Sequence, residues 1–182
     1  GQHLLRVDQE KIQALQADFN ATIEILYSIK GLFDASKEVD REEFHQFVAH
    51  LLRRAPGIQA LEWVPRVSAD QLHSYEKQAR EDGYPDFQIR EEDEQGLMRA
   101  VLKRDEYFPA YYLQPFSGNE KAFGFDLASN NTRLEELNRA RDSGKPVASS
   151  RIVLVQETMR QHGVLFFLPI YNKGLAHETV KD

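Results

Sequence analysis

One acidic residue stands out for the company it keeps. Asp126 lies in Phe123-Gly124-Phe125-Asp126-Leu127-Ala128-Ser129, a carboxylate among apolar and aromatic neighbours. A carboxylate at the end of a buried strand is costly unless something pairs with it. Either a protein donor satisfies it or a ligand does. As an acceptor it attracts cations and amine or amide N–H groups, and with aromatic walls that suits a small, partly apolar ligand. The protein-only alternatives are that Asp126 caps the helix opening near Ser129, or pairs with Arg133 or Arg139. Strand alternation names the candidate walls of a ligand site. Phe166 and Leu168 share one face, as do Ala148, Ser150 and Ile152, and Tyr112 closes the side.

Other chemistry is thinly represented. The histidines His3, His45, His50, His73, His162 and His177 are scattered singly, and His45 and His50 stand at the wrong spacing for one helical face. No metal site is expected from them. Glu91-Glu92-Asp93-Glu94 reads as a solvated acidic turn, without the alternating ligands and central glycine of a calcium loop. There is no glycine-rich phosphate loop and no Gly-x-Ser-x-Gly elbow. Ser149-Ser150-Arg151 has no evident base beside it. The chain has no cysteine, which removes disulfides and thiolate chemistry together. Neither catalytic residues nor a cofactor are expected.

The frame for these residues is one domain, with or without an extension, since the chain has 182 residues. It is 41% hydrophobic and 29% charged, with a net charge of −6 that argues against a nucleic-acid footprint. No apolar run approaches the ~18 residues of a membrane span.

The positioning elements follow from spacing. Leu5, Ile12, Phe19, Leu26 and Phe33 recur every seven residues, with Leu15 and Ile29 at the offset position, which predicts one long helix over residues 3–34. That gapped heptad seam suits pairing with a second copy. Asp40 and Glu43 form a capping box for a second helix, closed by Pro56-Gly57. A strand over 58–67, a helix capped by Ser68 and closed by Gly83, and a strand over 84–89 come next. Tyr107 to Leu113 reads as an aromatic strand interrupted by Pro109. A helix over 132–142 and strands over 147–155 and 164–171 complete an α+β chain with an antiparallel sheet.

Five blocks in order give this chain a family likeness. They are Ala60-Leu61-Glu62-Trp63-Val64-Pro65-Arg66, Tyr107-Phe108-Pro109-Ala110, Gly124 to Ser129, Arg139 to Gly144, and Leu168-Pro169-Ile170-Tyr171. Together the chain resembles a CHASE domain, the extracytoplasmic sensory module of receptor histidine kinases and cyclases. The resemblance implies a PAS-like antiparallel sheet domain with flanking helices over residues 39–182, its membrane-proximal part incomplete, after an N-terminal stalk helix over 1–38. It implies a homodimer through that helix and a periplasmic or extracellular position between transmembrane helices that lie outside this segment. In plant cytokinin receptors, which share the module, the aspartate at the position of Asp126 binds the hormone's adenine group. The neighbouring residues here depart from the plant pattern.

The expected function is therefore a ligand-binding sensor that transmits occupancy to a kinase or cyclase output domain. The alternative is a dimerisation or protein-interaction module without a small-molecule ligand.

Overall fold

The structure is a computed structural model that describes residues 2–149, 152–153 and 162–173. It opens with α1 (Gln2–Ala35), a 34-residue helix about 51 Å long. No helix among the described residues is long and apolar enough to cross a membrane. α2 (Arg41–Leu52) begins where the capping box predicts: the Glu43 N–H donates to Asp40 and the Asp40 N–H donates to Glu43. It ends at Leu52, four residues before Pro56.

Short strands and two more helices follow. They are β1 (Leu61–Trp63), β2 (Val67–Ser68), α3 (Leu72–Glu81), β3 (Arg90–Glu92), β4 (Met98–Ala100), β5 (Glu106–Tyr107) and β6 (Tyr112–Gln114). After them come α4 (Asn131–Ser143), β7 (Val147–Ala148), β8 (Ile152–Val153), β9 (His162–Gly163) and β10 (Phe166–Phe167). The architecture is mixed helix with small antiparallel sheets, pairing β1 with β6, β2 with β5, β3 with β4, β7 with β10 and β8 with β9.

Several boundaries differ from the expectation, and each has a local cause. Pro65 divides the strand expected over 58–67 into β1 and β2, because it offers no N–H to a ladder. Pro109 likewise separates β5 from β6. α3 starts at Leu72 rather than at Ser68, whose hydroxyl is engaged by Asp70 and Gln71. Residues 84–89 are irregular, and pairing begins only at Arg90.

The segment from Gly124 to Leu127 joins these pieces. On one side Arg90 N–H donates to Gly124 C=O at 2.9 Å and Asp126 N–H donates to Arg90 C=O at 2.8 Å. On the other, Gly124 N–H reaches Ala110 C=O at 2.8 Å, and Leu127 N–H reaches Phe108 C=O at 2.9 Å. β3 and residues 108–110 thus flank Asp126, and Tyr111 N–H carries the network on to Trp63 of β1. Gly124 has φ of 81°, and a Cβ there would lie 2.6 Å from the Gln88 carbonyl oxygen. Only glycine fits so close an approach.

Three apolar clusters hold the elements. α3 and the 110–123 region enclose Ala79, Phe87, Ile89, Tyr111, Leu113 and Phe123. Ile29 of α1 packs with Val39, Phe44 and Val48 of the α1–α2 corner and with Leu61. Ala110, Phe125 and Leu127 form the third, against Leu137, Leu165 and Phe167.

Arg41, the first residue of α2, pins that corner to the sheet. Its guanidinium lies 4.8 Å from the ring centroids of Tyr111 and Tyr112, 5.0 Å from Tyr84 and 5.5 Å from Phe123. Nε donates to Asp82 at 3.0 Å and Nη1 to the Tyr111 carbonyl. Tyr112 Oη adds a bond to the Val39 carbonyl. An aromatic box around a desolvated cation is strongly attractive, and the carbonyl would be left unpaired without it. Arg41→Met should lower stability by about 3 kcal/mol in urea unfolding. A loss within about 0.5 kcal/mol, the range of an ordinary surface change, would show the box to be energetically idle.

Candidate functional site

Asp126 is wholly buried, as the local pattern requires. Its Oδ1 accepts from the Phe108 N–H at 2.8 Å and from the Ala128 N–H at 3.1 Å. The second bond caps a short 3₁₀ turn over Leu127–Ser129, so the capping alternative holds in kind. α4 itself is capped by Asn130, which accepts from the Arg133 N–H. Oδ2 accepts from Nη1 of Arg104 at 3.1 Å.

Arg104 was not among the expected partners, and neither Arg133 nor Arg139 takes that place. Arg133 sits instead 5.0 Å over the Phe125 ring. Its pKa is lowered by burial, against the pull of Glu62. Glu62, half-buried on β1, is pushed up to about 7 by burial, with Arg133 pulling the other way. Arg139 lines a shallow surface hollow with Glu135, Asn138, Asp142 and Ser143.

The other end of Arg104 meets a second buried carboxylate. Glu91 is 2% exposed and takes Nη2 of Arg104 on one oxygen and Arg99 at 3.0 Å on the other. This corrects the reading of residues 91–94 as a solvated turn. Glu91 lies in β3 and points inward, while Asp93 makes the turn by accepting from the Gln95 and Leu97 N–H groups. A usable signal was present, because Phe87, Ile89 and Glu91 alternate on one face and all three are buried.

The expected wall residues do not all converge on Asp126. Tyr112 packs toward α2, against Phe44 and Arg41. Phe166 meets Phe19 of α1 edge-on at 5.4 Å. Its neighbours Leu165 and Phe167, on the opposite side of the strand, join the cluster of Phe125 and Leu127. Leu168 is half-buried, and Ala148, the register partner of Phe166, is exposed. Ile152 lies in β8 opposite Gly163, its side chain outside the described part. Ser150 lies outside the described residues altogether. Buried Ser149 beside it accepts from the Leu165 N–H at 2.9 Å and donates its own N–H to the Leu165 carbonyl. Among the described residues, no group of three His, Asp or Glu side chains could hold a metal.

The two carboxylates on Arg104 are shifted in opposite directions. Burial raises Asp126, and its hydrogen bonds with Phe108, Ala128 and Arg104 offset only part of that, while the Glu91 charge adds to it. Burial also raises Glu91, but hydrogen bonds from Arg104 and Arg99 outweigh it and hold the group below its ordinary value. Glu91 has two guanidinium partners where Asp126 has one. A lowered acid stabilises the fold above its unfolded pKa of about 4.3 and loses that contribution as pH falls through the folded value. A raised one stabilises below its unfolded pKa of about 3.9 and loses it as pH rises through the folded value. Urea midpoints between about pH 7 and pH 3.5 should therefore fall less steeply in Glu91→Gln than in the natural chain, and more steeply in Asp126→Asn. At pH 7 Glu91→Gln should cost about 3 kcal/mol by stranding its cations. Parallel profiles for all three proteins would overturn these assignments.

Comparison with known proteins bears on what such a domain does. A family model described as CHASE domain matches residues 37–182. The chain is 24% identical over 189 residues to hybrid signal transduction histidine kinase A of Dictyostelium discoideum. That alignment takes in 97% of this chain but 8% of the larger protein. CHASE domains are sensory rather than catalytic, the extracellular sensory domains of membrane receptors. With four-fifths of its length matched, this chain belongs to the CHASE domain family.

Proposed function

We propose that this chain is the ligand-binding sensor module of a transmembrane receptor whose output is a histidine kinase or a diguanylate cyclase. In this reading residues 39–182 form a PAS-like sensor domain and residues 1–38 a stalk. The family match beginning at residue 37 supports that division. The family match carries the sensor reading, and Asp126 is the acceptor proposed for the ligand. Asp126 is an entirely buried carboxylate at the middle of a hydrogen-bonded network, and its outer oxygen is neutralised by a side chain from an irregular segment. A small molecule with N–H groups recognised there would favour one arrangement of the sheet relative to α1, and its affinity for the two arrangements must differ for a signal to pass.

The test is a thermal-shift screen of small nitrogenous metabolites against the natural chain and Asp126→Ala. A ligand present at 100 times its Kd stabilises the folded state by about 2.7 kcal/mol. The expected result is a raised melting point in the natural chain and none in the variant. Equal shifts in both would remove Asp126 from recognition.

The proposed dimer runs through the N-terminal half of α1. The C-terminal part of the heptad seam is used within the chain, where Ile29 and Phe33 pack against α2 and β1. Leu15 is exposed, and Phe19 is exposed on the part of its ring that Phe166 does not cover. Sedimentation should show a dimer that Leu15→Lys converts to monomer while leaving the circular dichroism of the domain unchanged. A dimer that survives the substitution would place the interface elsewhere.

A further inference from the structure

Arg104 is the group that now occupies the outer face of Asp126. It projects from the irregular stretch between β4 and β5, where the backbone is clasped independently of the side chain. Arg104 N–H donates to Tyr107 Oη at 2.9 Å, and that hydroxyl donates to the Leu102 carbonyl at 3.2 Å. The guanidinium reaches inward from this anchored point to bridge Glu91 and Asp126. Its side chain is 29% exposed while the two carboxylates are 2% and 0% exposed, so the cation stands between them and solvent. It can rotate outward without moving the backbone that holds it.

Charge balance restricts what could replace it. Glu91 and Asp126 supply two negative charges, and Arg99 and Arg104 two positive ones. A neutral molecule displacing Arg104 would remove the cation paired with Asp126, leaving the acid either to stay ionised without a countercharge or to take up a proton, each at a cost. A planar cation with forked N–H groups restores both the charge and the geometry. The hollow a ligand needs is then the volume that the Arg104 guanidinium fills.

We infer that Arg104 is a built-in stand-in for the ligand at Asp126, and that the ligand class admitted there is a small planar cation of amidinium or guanidinium type that replaces it. This rests on the reading of Asp126 as the ligand acceptor, which the experiment tests separately. In that exchange no covalent bond changes. Arg104 gives up Asp126 and swings to solvent from its anchored backbone.

The probe is benzamidinium, with neutral benzamide as its isostere, titrated calorimetrically into the full chain. Removing the stand-in should help the probe, so Arg104→Ala should bind benzamidinium at least tenfold more tightly than the natural chain. Adding Asp126→Asn to Arg104→Ala should abolish that binding. Equal or weaker binding in Arg104→Ala overturns the inference, as does binding that persists in the double variant or is absent from every protein. Benzamide bound through Asp126 with no dependence on Arg104 would overturn it too, while leaving the sensor reading standing. Should Arg104→Ala fail to fold, Arg104→Gln and the charge-balanced pair Arg104→Ala with Glu91→Gln carry the same comparison.

Discussion

Two carboxylates buried side by side are tolerable only if a cation comes to them, and here the cation comes from a neighbouring irregular segment. Asp126 is trapped because Gly124 to Leu127 runs between β3 and residues 108–110, with backbone hydrogen bonds on both sides. Glu91 is trapped because it follows Ile89 on the inward face of the same network. Their mutual repulsion in a low-dielectric interior is offset by Arg104 between them and by Arg99 on the far oxygen of Glu91. The close backbone approach at Gly124 and the bridge from Pro109 to Asp126 both follow from threading that segment through the middle.

A buried cation, Arg41, holds the opposite end of the same path. Ala110 bonds to Phe125, Tyr111 to Trp63, and the Tyr111 carbonyl accepts from Arg41 at the start of α2. Asp126 and the α1–α2 corner are therefore connected by a few residues of continuous, hydrogen-bonded backbone. A displacement near Phe108 would therefore bear on the strand that Arg41 and Tyr112 hold to α2 and the α1–α2 corner.

Local chemistry was readable without the fold. The Asp40–Glu43 capping box, the long periodic α1, the glycine stop of α4 at Gly144 with φ of 66°, and the interruption of the aromatic stretch at Pro109 all depend on neighbours within a turn. The cost of burying Asp126 was legible for the same reason, because its apolar flanks are adjacent in the chain. The acidic run at 91–94 misled because composition alone suggested solvent, whereas Glu91 continues the buried side that Phe87 and Ile89 begin.

By itself, then, the amino-acid order determined the long α1, the capping box of α2, the family likeness and the presence of one acid that had to be neutralised. Only the tertiary structure decided by what. Arg104 is 22 residues from Asp126 along the chain, and it meets the acid because the strand pairings bring β3, the 104–108 region and Gly124 to Leu127 together. The faces of β10 were settled the same way, Phe166 toward α1 and Phe167 toward Phe125. Alternation specifies that neighbouring side chains oppose one another, but which side is the core depends on what the folded chain packs against each.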